Sequence, residues 1–169
     1  MIFNVRPILF CAALAVALFP VPRLAVAQED HAHMHDSAGA AVARMSLDGD
    51  RKWATDARLR AGMAAIGQAF DADHHAIHAG AESDAQYEAL AARIDAEVKG
   101  IVANCHLAPA ADANLHYVIA DLLRGTSMMS GKVPDRTRHD GAALVHGALL
   151  AYGKYFDDPA AAADNHMPR

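Results

Sequence analysis

Cysteine, aromatic residues, positive charge and long apolar runs are all scarce in this chain, and each shortage removes a class of protein. Of two cysteines only Cys105 lies beyond the first 27 residues, so a chain trimmed there can form no intramolecular disulfide. Aromatic residues make up 6% of the sequence, and proline is nearly absent from an alanine-rich interior. That composition favours helices over strands. After Phe19 no stretch approaches the ~20 apolar residues a membrane helix needs. Lys and Arg total 15 against 20 Asp and Glu. Residues 1–27 hold Arg6, Arg23 and no acid, so their removal leaves 13 basic and 20 acidic residues, a formal charge of −7. Such a surface argues against nucleic acid as a partner.

Catalytic signatures are missing as well. There is no nucleophile elbow, no H-E-x-x-H, no phosphate-cradling glycine loop and no paired E-x-x-H motifs of a di-iron bundle. Cys105 and His106 do not make a nucleophile and base, because neighbours on a helix point about 100° apart. The sequence therefore reads as a binding protein and not an enzyme.

What is present begins with an export signal. Arg6 supplies the positive region, Ile8 to Phe19 the apolar run, and Ala25-Val26-Ala27 the small-residue cleavage site before Gln28. Cleavage after Ala27 predicts a periplasmic product with no membrane insertion. Phe10 is too large to precede a lipid-anchored Cys11. Residues 28–45 follow as a tail without apolar periodicity, expected to be disordered.

About 140 residues suffice for one core. Four helical segments follow the tail, predicting an all-α, up-down-up-down four-helix bundle over residues 46–159, with 160–169 as a C-terminal tail. The first runs from near Asp48 to about Ala79, with Trp53, Leu59, Met63, Ile66 and Phe70 at helical spacing and Gly80 as its stop. Ser83 and Gln86 form a capping box for the second, whose stripe is Tyr87, Leu90, Ile94, Val98, Ile101 and Cys105. Pro109 opens the third, which carries Leu115, Ile119, Leu122 and Met129. Pro134-Asp135 restarts the chain as the fourth, with Leu144, Val145, Ala148, Leu149, Tyr152 and Phe156, closed by Asp158-Pro159. Glycines at 62, 67, 141, 147 and 153 fit either close helix approach or room for a ligand.

Antiparallel neighbours sort the side chains into two ends. Trp53, Asp56, Cys105, His106, His116, Tyr152 and Phe156 share one. His74, His75 and His78 share the other with Met128, Met129 and His139. His74 and His78, four residues apart, present both imidazoles on one helix face, a ready bidentate pair; histidines near a helix C-terminus also simply offset its dipole. Met128 and Met129 beside them would suit copper, since thioether favours the cuprous ion.

A second group of metal ligands sits in the tail. Asp30-His31-Ala32-His33-Met34-His35-Asp36 combines three imidazoles, a thioether and two carboxylates, donors for Cu(I), Cu(II) or Zn(II). The amino-terminal copper motif needs histidine third, and cleavage after Ala27 makes His31 fourth. Haem is disfavoured: C-x-x-C-H fails at Val102, leaving only a non-covalent haem between Met63 and a fourth-helix histidine such as His146. Met63 and Cys105 read first as core packing, and His116 as a buried or half-buried histidine with a hydrogen-bond partner.

The segments Lys52 to Met63, Ala111 to His116 and Ala151 to Phe156 carry a family resemblance. Together they resemble a group of small exported bacterial proteins labelled DnrO-like, which implies an exported helical protein, often with a histidine-rich leader. More remotely, the layout is similar to helical cytochromes of the cytochrome c-prime and soluble cytochrome b type. Two readings result. One is a periplasmic metal-binding protein, copper before zinc, that buffers or delivers the ion through His31, His33, Met34 and His35, with His74, His78, Met128 and Met129 as a bundle site. The other is a structural or partner-binding bundle, with Trp53 and Tyr155 as contacts for another periplasmic protein. A non-covalent haem carrier stands third.

Overall fold

A computed structural model describes residues 41–164. The export signal and residues 28–40 lie outside that range. Four main helices make an all-α bundle: α1 (Ala57–His78), α2 (Asp84–Asn104), α3 (Pro109–Met129) and α4 (Arg138–Tyr155), followed by a short α5 (Pro159–Asp164). Among the described residues there is no strand, only isolated bridges at Asp48–Arg51 and Trp53–Phe156.

Local chemistry sets the helix ends. Ser83 accepts from the Gln86 N–H while Gln86 Oε1 accepts from the Ser83 N–H, the expected capping box. Pro109 occupies the first turn of α3. After α1 the Gly80 N–H donates to the Ile77 carbonyl and the Ala81 N–H to Ala76, with Gly80 at φ +64°. This Schellman closure needs a left-handed residue, which glycine adopts without strain.

Three boundaries differ from the sequence reading. The first helix starts at Ala57 and not near Asp48, because Gly49 at φ +61° turns Asp48 and Arg51 back on each other. Trp53 is consequently not helical: its N–H donates to the Tyr155 carbonyl and its carbonyl accepts from the Asp157 N–H. Asp56 is the true cap, accepting from the Leu59 N–H at 2.7 Å. The fourth helix starts at Arg138 and not at Pro134-Asp135, since Asp135 sits at φ +60° and Thr137 forms a capping box with Asp140. Finally, the stretch 41–45, assigned to the tail, is ordered against α3. The Val42 N–H donates to buried Asp121, the Ser46 N–H to Asn114, and Met45 enters the core at 7% exposure. One buried methionine in a short alanine-containing stretch carries no period, so the pattern missed it.

Contacts between helices show opposed directions. Arg58 on α1 meets Gly100 on α2, whereas Asp73 pairs with Arg93. On α3 and α4, Gly125 faces Val145 while Met129 faces Gly141. Here the two backbones touch: a Cβ at Gly141 would lie 2.6 Å from the Gly125 carbonyl and 2.7 Å from the Met129 nitrogen. Gly62 is equally crowded, with Ile101 at 2.5 Å, but a Cβ at Gly67 would meet nothing within 4 Å. Close approach therefore explains Gly62 and Gly141. Gly67 lies on the more open seam between α1 and α4, under which the site develops.

Candidate functional site

The close α3–α4 crossing fixes which face of α4 turns toward α1. Val145 packs inward on Gly125, and the next residue, His146, projects over the α1 surface. Its ring stacks on Phe70 at 5.5 Å between centroids and meets His74 edge-on at 5.9 Å. His74 and His78 stand 4.3 Å apart on α1. Three imidazoles from two helices thus cluster at one end of the bundle.

Two imidazoles on one tetrahedral ion, at about 2.0 Å per metal–nitrogen bond, place their centroids about 5 Å apart. The observed 4.3 and 5.9 Å bracket that spacing. Among the described residues no three His, Cys, Asp or Glu side chains already hold their donors around one point, so side-chain rotation has to close the site. His78 is exposed and His74 half-buried, which leaves them room to turn. Burial pushes the His146 pKa below its ordinary value, and the nearby His74 and His78 lower it further against the opposing pull of Asp71. A neutral imidazole at physiological pH is the form that ligates.

The remaining expected ligands separate. Met128 and Met129 are core residues, 2% and 0% exposed, packed where Gly141 crosses α3. That crossing draws both residues into the helix interface. His139 is exposed one residue inside the start of α4. His31, His33, Met34 and His35 lie outside the described residues. His146, raised in the sequence only against Met63 for haem, is the neighbour of that pair that the spacing rules missed. Residues on different helices have no spacing; only the antiparallel register, with Tyr152 beside Met63 and His146 beside Phe70, could have found it.

Below the histidines a cleft of about 290 Å³ opens between α1, α4 and α5. Met63, Gly67, Phe70 and Leu149 give it apolar walls, Asp71 and His146 stand among its lining residues, and Tyr152 and Asp158 line it toward α5. The Tyr152 hydroxyl donates to Asp158 Oδ2 at 2.9 Å, and Asp158 Oδ1 accepts from the Ala160 N–H. Burial raises the Tyr152 pKa far above its usual range, and the bond and charge of Asp158 add to it. This phenol stays protonated and serves as a strut.

The opposite end is structural. Burial alone would raise the Asp56 pKa, but N–H bonds from His106, Leu59 and Arg58 and the His106 charge outweigh it and hold the carboxyl below its ordinary value. Asp56 thereby ties the start of α1 to the α2–α3 link, with the His106 N–H at 2.6 Å. Cys105 beside it is half-buried, and burial, Asp56 and Asp112 raise its pKa, which disfavours the thiolate. His116, expected half-buried, is exposed, with Nδ1 2.8 Å from the Asp112 carbonyl. Trp53 and Tyr155, the expected partner contacts, are half-buried against the core, and Trp53 Nε1 donates to the Ser46 carbonyl. No family model, curated protein or solved structure matches this chain.

Proposed function

We propose that this chain is an exported, up-down-up-down bundle that binds copper in the periplasm and buffers or delivers it. The observation that carries the reading is the approach of His146 on α4 to the His74–His78 pair on α1. With Met128 and Met129 in the core, the bundle site offers imidazole alone, which suits Cu(II) and Zn(II). Of these Cu(II) binds a given nitrogen site more tightly. The tail, with Met34 beside His31, His33 and His35, supplies the softer donor for Cu(I). The ion-free bundle keeps His146 neutral, so a metal need not displace a proton there at neutral pH.

The test is competitive titration of Cu(II) and Zn(II) into the protein beginning at Gln28. His146→Ala and His74→Ala should each weaken binding at least tenfold, whereas Met128→Leu should leave it unchanged. Binding that survives both histidine changes but disappears when His31, His33 and His35 are replaced would move the site wholly to the tail. Binding no tighter than that of a histidine-containing peptide would sink the metal reading. A haem carrier is less well supported. Met63 and His146 do line one cleft, but its volume of about 290 Å³ lies at the bottom of the ~300–1,000 Å³ range of small-molecule sites.

A further inference from the structure

The cleft beneath the histidines has a composition that metal binding does not use. Its walls are apolar, and among the described residues its only formal charges are the carboxylates of Asp71 and Asp158, with no described Lys or Arg lining it. Asp158 is 4% exposed and makes no ion pair with any described residue, its oxygens being held by the Tyr152 hydroxyl and the Ala160 N–H. A buried carboxylate without a counter-ion is costly unless it is well hydrogen-bonded or meets a cation. Asp71 stands eight residues beyond Met63 on α1, about 12 Å along the helix axis at 1.5 Å per residue. The cleft is thus an elongated apolar slot with negative charge contributed from α1 and from the α4–α5 link. Phe70 and Tyr152 close its floor as buried rings, 3% and 1% exposed and stacked on His146 and Phe156.

We propose that this cleft binds a small organic cation, an ammonium group carried on an apolar body. The apolar body lies along Met63, Gly67 and Leu149, and the ammonium faces a carboxylate. Anions of the same shape are repelled by both acids. Neutral analogues gain the apolar contact alone. The assignment does not rest on the metal reading, because none of these contacts passes through His74 or His78.

Gly67 provides a clean obstruction. A Cβ there meets no atom within 4 Å, so Gly67→Leu can enter the slot without backbone overlap at its first carbon, and circular dichroism of the variant checks that the fold is kept. The experiment is NMR titration of the full mature chain, stripped of metal with a chelator, with 4-phenylbutylamine, 5-phenylvalerate and 4-phenylbutanol. The amine should bind at least tenfold more tightly than the carboxylate, shifting resonances of Ala64, Gly67 and Leu150. Gly67→Leu should abolish the shifts, and Asp71→Asn, a change at an exposed position, should weaken the amine severalfold without affecting the alcohol. Equal affinity for amine and carboxylate, or binding indifferent to both variants, overturns the proposal. Since the protein is metal-free, failure here leaves the copper reading standing, and loss of copper binding in His146→Ala leaves this one standing.

Discussion

Replacing Gly141 with alanine should destabilise the bundle, whereas the same change at Gly67 should stabilise it. Both glycines lie inside helices, and glycine there is disfavoured relative to alanine by roughly 0.5–1 kcal/mol. On propensity alone the two substitutions gain the same amount. Surroundings separate them. At Gly141 the new methyl would stand 2.6 Å from the Gly125 carbonyl, 2.7 Å from the Met129 nitrogen and 2.8 Å from Met128 Cβ. All three belong to or adjoin backbone, so no side-chain rotation relieves the overlap and α4 has to move off α3. Overpacking of this kind costs about 1–3 kcal/mol, and rigid backbone neighbours place it toward the upper end. Net of propensity, Gly141→Ala should lose about 1–2 kcal/mol. At Gly67 nothing opposes the gain, so stability should rise by about 0.5–1 kcal/mol. Urea unfolding followed by circular dichroism reads both as midpoint shifts with unchanged slope. Gly141→Ala should also alter metal affinity, because the crossing aims His146. Equal shifts of the same sign in the two variants would refute the claim that α3 and α4 meet backbone to backbone.

The other predictions concern single groups. His146→Ala should weaken Cu(II) binding at least tenfold in competitive titration while leaving helicity unchanged. In the metal-stripped protein, 4-phenylbutylamine should shift resonances along the cleft and lose that effect in Gly67→Leu. Asp56 has a folded pKa below its ordinary value, so its contribution is present above about pH 4 and is lost as pH falls through the folded pKa. Asp56→Asn should flatten that acid limb in stability measured between about pH 2 and 5. For His146 the folded pKa is also lowered: the native form resists protonation, so stability falls on acidification below about pH 6.5. His146→Phe should remove that dependence. The Cys105 thiol should react with a thiol reagent more slowly than a free cysteine at pH 8 and match it once urea unfolds the chain.

Helix count, helix type and most stops were legible because they are written in neighbouring residues. Ser83 with Gln86, Pro109 and Gly80 act within one or two turns, so their chemistry appears in sequence order. The same rule could have found Thr137 with Asp140, a capping box of the same kind. Met45 and Trp53 were illegible for the opposite reason, since the atoms that hold them lie far along the chain, and Asp158 was illegible because its bond to Tyr152 follows no helical spacing. Trp53 pairs with Tyr155 and Asp157, and Asp158 accepts from Tyr152 across the turn that starts α5.

Periodicity and punctuation by themselves determined that this chain makes amphipathic helices and that His74 and His78 share a face, since a 3.6-residue repeat relates residues within one helix. The tertiary structure alone decided that His146 comes to lie beside them and that Met128 and Met129 lie in the core. Those outcomes depend on Gly125 and Gly141 letting two backbones meet, a contact that buries Met128 and Met129 and rotates His146 toward α1.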